Sequence, residues 1–302
     1  MGYHSFLSRL FHERRGVGSW KSEYNRFCLD KCCNHFVELH YYSIDSKLMI
    51  VVENLYKSFE SAEVLKGIST TFEKGKTNLI IGQSGSGKTV FLKCLLGLFP
   101  YESGSISYNG KIYNDLSQSE QRKLRSKIGM VFQGGALFDS MTIGENVKFP
   151  LRMFSKKNNS EMEDRVHAVL KRVKLEDAYK KFPSEASGGM QKRVAIARAI
   201  VNNPSFLFCD EPNSGLDPKT AIVIDNLIQE ITSEFNITTV INSHDMNSVM
   251  EIGQKIVFLK DGHKAWEGSN ENIFKTDNEA VTNFVYSSEL FRKVRRMYNE
   301  GL

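Results

Sequence analysis

Asn78-Leu79-Ile80-Ile81-Gly82-Gln83-Ser84-Gly85-Ser86-Gly87-Lys88-Thr89 runs from a short apolar stretch into a string of the form G-x-x-x-x-G-K-[ST]. The apolar stretch reads as a buried strand, and residues 89–98 carry helical spacing. A strand, a glycine loop and a helix in that order are the setting in which such a string binds phosphate. Glycines let the backbone curl with its N–H groups pointing inward, and the helix start adds a partial positive charge. In that setting Gly82, Gln83, Ser84, Gly85, Ser86, Gly87, Lys88, Thr89 and Val90 form the cradle. Lys88 is expected to reach the β- and γ-phosphates of a nucleoside triphosphate, and the Thr89 hydroxyl to ligate Mg²⁺.

Outward from the loop, the same kind of text recurs. Apolar runs stand at 128–132, 206–209, 237–241 and 255–259, with helical patterns at 188–202 and 218–234. The runs are continuous rather than alternating, as for strands covered on both faces of a mainly parallel sheet. Strands alternating with helices predict an α/β domain built from βαβ units. Residues 142–182 break the alternation with mostly helical text around a polar tip, Ser155-Lys156-Lys157-Asn158-Asn159-Ser160, and read as a helical insertion.

The 302 residues are 41% hydrophobic and 25% charged, the mix of a folded globular protein, which excludes disordered, collagen-like and disulfide-scaffold classes. No run of about 20 apolar residues occurs, so no membrane span is expected. The first thirty residues hold Arg9, Glu13, Arg14 and Arg15 without an apolar core, and no secretory signal is read there. A net charge of +5 is only weak evidence for nucleic acid or lipid headgroups as partners, because most basic residues are solvated surface.

Residues 1–48 lack periodicity and hold three of the five cysteines. At Met49 the strand-like run Met49-Ile50-Val51-Val52-Glu53-Asn54-Leu55 begins. The expectation is therefore a folded domain over 49–302, with 1–48 an extension, poorly ordered or outside the native start. Five scattered cysteines do not make a disulfide framework and fit a reducing compartment. Cys28, Cys32, Cys33, His35 and His40 nominally supply zinc ligands, but no framing fold is visible around them.

Two further strand ends carry chemistry. Phe206-Leu207-Phe208-Cys209 runs into Asp210-Glu211, at the carboxyl edge where α/β sheets bind ligands. Asp210 is expected to hold Mg²⁺, directly or through water, and Glu211 to accept a proton from attacking water. Together with the phosphate loop the pair completes a nucleotide hydrolase site. A third strand ends at Ile241, and His244 then falls beside the same edge, where it can contact the γ-phosphate.

Ser187-Gly188-Gly189-Met190-Gln191-Lys192-Arg193 opens the helix that precedes Asp210. Here the chain resembles the ATP-binding subunits of ABC transporters, over about residues 49–270. The resemblance implies a P-loop NTPase (RecA-like) core with a mainly parallel sheet, an antiparallel β region, a helical subdomain at about 141–185 and a C-terminal tail at about 271–302. It implies ATP and Mg²⁺ as cofactors and hydrolysis to ADP and phosphate, with Glu211, His244 and Lys88 catalytic. By position, Phe59 is similar to the aromatic that stacks on adenine, and Gln133 to the glutamine that touches Mg²⁺ and senses the membrane partner. Ser187, Gly188 and Gly189 resemble the signature, and Ser214-Gly215-Leu216-Asp217 the D-loop. A serine that caps a helix above two glycines exposes backbone N–H groups at its positive end. The resemblance implies a homodimer in which that tip closes over the phosphates bound by the other copy.

The usual pentapeptide Leu-Ser-Gly-Gly-Gln reads Ala186-Ser187-Gly188-Gly189-Met190 here. Ser-Gly-Gly-Met-x-Lys-Arg, with Gln133-Gly134-Gly135-Ala136-Leu137-Phe138, resembles the Mla-type, MCE-associated ATPases of lipid trafficking. That implies a permease docked near Gln133 and residues 141–182, an MCE protein, a STAS-like subunit, and a place on the cytoplasmic face of the inner membrane. An ABC ATPase for a small solute or lipoprotein stays open beside it, as does a soluble nucleic-acid-associated ABC ATPase. Residues 289–298 set Leu290, Phe291, Val294, Met297 and Tyr298 at helical spacing against Arg292, Lys293, Arg295 and Arg296. Such a helix suits a partner, anionic headgroups, or its own domain.

Overall fold

The computed structural model describes residues 49–60 and 62–286. The cysteine and histidine group at 28–40, the extension 1–48 and the basic stretch 289–298 lie outside the described residues.

The chain opens with β1 (Ile50–Phe59) and β2 (Ala62–Phe72), an antiparallel pair, and continues into β3 (Thr77–Gly82) and α1 (Lys88–Leu95). Strands β4 (Ser103–Tyr108) and β5 (Lys111–Ile112), helix α2 (Gln118–Arg125) and strand β6 (Ile128–Val131) follow. Next come α3 (Ile143–Phe154), α4 (Asn159–Arg172) and α5 (Gly188–Ile200). The remainder alternates: β7 (Phe206–Asp210), α6 (Pro218–Glu234), β8 (Thr238–Asn242), α7 (Met246–Ile252), β9 (Lys255–Lys260), β10 (His263–Gly268) and α8 (Glu279–Val285).

Two sheets result. One is antiparallel, in the order β2-β1-β4-β5. The other runs β10-β9-β3-β8-β7-β6, parallel except for the β9–β10 hairpin. This is the α/β fold expected, with its mainly parallel sheet and separate antiparallel region.

The period of two explains why the parallel strands read as unbroken apolar runs. Leu79 and Ile81 of β3 join one core with Leu207 and Cys209 of β7, covered by α3, α5 and α6. Ile80 of β3, with Phe206 and Phe208 of β7, faces a second core shared with Phe91 and Leu92 of α1 and Leu55 and Ile68 of the antiparallel sheet. The edge strand β6 departs from the expectation: Gly129 and Val131 are buried while Ile128 and Met130 are half-buried. Ile128 and Met130 pack against the second core and also line an open groove.

The helical insertion begins at a reciprocal cap: Thr142 Oγ1 accepts from Glu145 N at 3.2 Å while Glu145 Oε2 accepts from Thr142 N at 2.8 Å. Asn158 and Glu161 repeat the device at α4, which places the polar tip in the connection between the two helices. The segment after β10 is built into the domain, since Ile273, Val281 and Val285 are fully buried. Among the described residues no helix is long and apolar enough to cross a membrane. Cys94 and Cys209 are buried free thiols.

Candidate functional site

Gly82 ends β3 at φ 150°, where a Cβ would stand 2.2 Å from the Leu259 carbonyl oxygen. Only glycine fits that approach of β3 to β9. The chain then turns out of the sheet and re-enters as α1 through Gly87, at φ 97°. The first N–H groups of α1 have no intrahelical acceptor by construction and point into the turn. The Lys88 amine, 7% exposed, donates to the carbonyls of Gly82 at 2.8 Å and Gln83 at 2.9 Å. Burial lowers its pKa, and the nearby charges of Glu211 and Asp210 act to raise it. A buried ammonium beside backbone donors makes this loop a receptor for polyanions.

A cleft of about 660 Å³ opens over the loop, lined by residues 82–85 and 87–90 together with Gln133, Glu211 and His244. That volume is in the range of small-molecule sites. Ser86, the remaining member of the loop, is buried beneath it, and its hydroxyl has no hydrogen-bond partner among the described residues. Asp210 stands beside Thr89 through a shared neighbour: Asn242 Nδ2 donates to Asp210 Oδ1 at 2.5 Å and to Thr89 Oγ1 at 3.3 Å. Burial raises the Asp210 pKa and the Asn242 bond opposes the rise. The two oxygens suit a hard divalent cation.

Glu211 has φ 46°, in the left-handed region that non-glycine residues rarely occupy. Its amide donates to the Asn242 carbonyl at 2.9 Å, which ties the turn to β8. Its carboxylate lies 2.8 Å from His244 Nδ1 through Oε1 and accepts from Gln133 Nε2 at 3.4 Å through Oε2. The carboxylate is therefore aimed into the cleft and held on both sides. Such a strained backbone is the kind found at reactive positions.

Of the residues expected from the sequence, Gln133, Glu211, His244 and most of the phosphate loop line this one cleft. Other expected residues stand apart from the cleft lining. Phe59 is half-exposed and packs edge-on against Phe99 at 5.4 Å, with the Lys57 amine 4.7 Å from its ring centre. Ser187 caps α5 by accepting from Met190 N at 3.3 Å, and both Ser187 and Gly188 are exposed. Gly189 packs where a Cβ would meet Thr220 Cγ2 at 2.7 Å. Asp217 caps α6 by accepting from Thr220 N at 3.1 Å. Sequence reasoning missed Val64 and Phe284, which line the cleft from β2 and α8, and the bridging role of Asn242. Asn242 had one available signal, its place at a strand end beside Asp210. Val64 and Phe284 had none.

With this geometry the relatives are informative. Residues 65–214 match the family described as ABC transporter. A methionine import ATP-binding protein, MetN, of Clostridium tetani is 43% identical over 255 residues, covering 84% of this chain and 78% of that protein. The chain belongs to the ABC transporter ATP-binding subunits. It is accordingly an ATP-binding protein and an ATPase. A probable ribonucleotide transport ATP-binding protein, mkl, of Mycobacterium bovis is 39% identical over 236 residues, and the chain spans 66% of its length. The dimeric post-hydrolysis state of the ATP-binding cassette MJ0796, bound to ADP and Pi, superposes with a TM-score of 0.67 at 33% identity, over 73% of this ABC subunit and 98% of that chain.

Next to residues 214–217 of this ABC subunit, Asn213 Nδ2 donates to Asp225 Oδ1 at 2.7 Å and to Ser248 Oγ at 3.1 Å. Burial pushes the Asp225 carboxyl from its ordinary 3.8 up to about 6. The folded pKa exceeds the unfolded one, so this stabilising contribution is complete below pH 4 and is lost as pH rises through 6. Asp225→Asn, which keeps an acceptor for Asn213, is expected to be the more stable protein at pH 8 by up to about 3 kcal/mol. Chemical denaturation at pH 8 and pH 4 checks this, and the gain should vanish at pH 4.

Proposed function

We propose that two copies of this chain sandwich two Mg²⁺·ATP molecules head to tail and power a membrane permease. The observation that carries this reading is a separation. The cleft holds the phosphate loop, Gln133, Glu211 and His244, while the capped tip, with Ser187 and Gly188 exposed and Gly189 half-buried, stands outside the lining of its own cleft. A helix tip with unsatisfied N–H groups is an anion site without an anion of its own, and the second copy's triphosphate suits it. Phe59 and Asp217, also outside the lining, take the adenine and the subunit boundary in this scheme.

Thr89, Asp210 and Gln133 would hold Mg²⁺, which supplies charge neutralisation for phosphoryl transfer. Glu211 takes a proton from the attacking water, and His244 and Gln133 keep its carboxylate aimed. Lys88 offsets the charge that develops on the phosphates. ATP binding favours the closed dimer, and hydrolysis removes the bridging charge and releases it.

A permease helix has a receptive groove. About 400 Å³ of mostly apolar space lies between β6, α3 and the end of α5, lined by Phe132, Phe138, Phe149, Phe154 and Arg198 among others. Phe132, Phe138 and Phe154 are each at least 40% exposed, an apolar patch suited to an amphipathic helix. Docking there makes the chain peripheral, on the cytoplasmic face of the inner membrane.

The cargo we infer is lipid, moved with an MCE protein and a STAS-like subunit, on the strength of the Ser-Gly-Gly-Met signature. Met190 packs its side chain against the core beneath α5, where a glutamine would bury an amide. A second reading, small-solute import, is favoured by the 43% identity to MetN. Affinity purification of the tagged chain from its own membranes separates them. Recovery of a permease with an MCE-domain protein and bound phospholipid is the expected result. Recovery with a solute-binding protein instead assigns the second reading.

A further inference from the structure

Helix α5 carries the signature tip at one end, and two of its cations reach the Gln133 loop. Lys192, 7% exposed, donates its amine to the Gln133 carbonyl. Six residues further along the helix, Arg198 forks across two more carbonyls of the loop, donating to Gly135 at 2.6 Å and Ala136 at 2.7 Å. Its guanidinium also sits 6.0 Å from the Phe138 ring centre. The loop they grip is not a relaxed one: Gly135 and Ala136 have φ 75° and 47°. An alanine in the left-handed region needs outside support, and Arg198 provides it through a planar two-donor fork.

The Gln133 side chain continues the connection. Its amide donates to Glu211 Oε2 and to Ser214 Oγ, each at 3.4 Å. A contiguous path therefore runs from the buried face of α5, through a backbone carbonyl, to the carboxylate in the cleft. Burial lowers the Lys192 pKa and the charge of Glu211 acts to raise it, so the ammonium and the carboxylate sense one another.

Resting on the reading of Glu211 given above, we propose that Lys192 is a positioning residue for ATP hydrolysis, holding the Gln133 backbone so that movement of the signature helix is passed to Gln133 and Glu211. Arg198 supports the same loop from its far side. Lys192 touches neither nucleotide nor water in this scheme and acts only through Gln133.

The test is a double-mutant cycle on the purified full-length chain, with steady-state ATPase rates, ATP affinity and melting temperature for each protein. Lys192→Met is expected to lower kcat about tenfold, the worth of one lost charge-assisted hydrogen bond. Its ATP affinity stays within about twofold, since no nucleotide contact is removed. Lys192→Arg, which keeps a cationic donor, restores most of the rate. The decisive term is coupling: Lys192→Met added to Gln133→Ala should cost less than about twofold beyond Gln133→Ala alone. Multiplying losses, or a kcat unchanged in a folded Lys192→Met protein, overturns the proposal. Should the Met variant not fold, Lys192→Gln enters the same cycle with the same criteria. Glu211→Gln assayed in parallel keeps the two failures distinct: full activity there discards the reading of Glu211, whatever Lys192 does.

Discussion

Glu211→Gln is expected to reduce ATP turnover by roughly 10²–10⁴-fold, the usual contribution of a positioned general base. The substitution is nearly isosteric. The new amide still reaches His244 Nδ1 and Gln133, which lie 2.8 and 3.4 Å from the carboxylate oxygens. What it loses is the capacity to take a proton from water. Lys88 and the backbone donors of the loop are untouched, so ATP affinity is retained. Removing one negative charge beside the triphosphate favours its binding. Single-turnover phosphate release and equilibrium ATP binding, measured on the same protein, check both halves. Full turnover would remove Glu211 from its role.

Lys88→Ala acts on the other half of the site. Among the described residues the amine is the one lysine or arginine cation in the cleft lining, and it sits where burial has already stripped much of its water. Its loss removes charge-assisted bonds to phosphate worth about 1.5–3 kcal/mol, or roughly 10–100-fold in affinity. The carbonyls of Gly82 and Gln83 also lose their donor, so the loop itself loosens. Titration with a fluorescent ATP analogue should show the weakening, with a smaller effect on ADP. Unchanged affinity would mean that Lys88 does not meet the phosphates. The two variants thus separate chemistry from binding: Glu211→Gln keeps nucleotide and loses turnover, and Lys88→Ala loses nucleotide first.

Much of this was legible in the sequence for reasons that are physical. Strands buried on both faces spell continuous apolar runs, and β3, β7 and β9 do so, while β8 buries two threonines and an asparagine beside its Val240 and Ile241. Helix α6 is bounded in the text as in space, with Asp217 as its cap and Pro218 as its first residue. The phosphate loop is a local motif, so neighbours in sequence are neighbours in the site. The antiparallel sheet was harder. Strands β2 and β4 mix Lys, Ser and Thr with their apolar positions because one face is only partly covered, and only the start of β1 was read as a strand. The edge strand β6 was read as fully covered, although its Ile128 and Met130 also line the groove. Within the site, Val64 and Phe284 reach the cleft from positions far along the chain, and nothing in their local text marks them. Lys192 stood within a quoted motif, but its bond to the Gln133 carbonyl is a tertiary contact with no sequence signal.

In this scheme ATP joins two copies, each giving its loop and its Ser187-Gly188-Gly189 tip. Light scattering on purified Glu211→Gln protein, with Mg²⁺ and saturating ATP, tests it most directly. The account predicts twice the monomer mass with ATP, a monomer with ADP, and a monomer again when Ser187→Arg is added to block the tip. A single-copy mass at saturating ATP, persisting with the permease present, would contradict it.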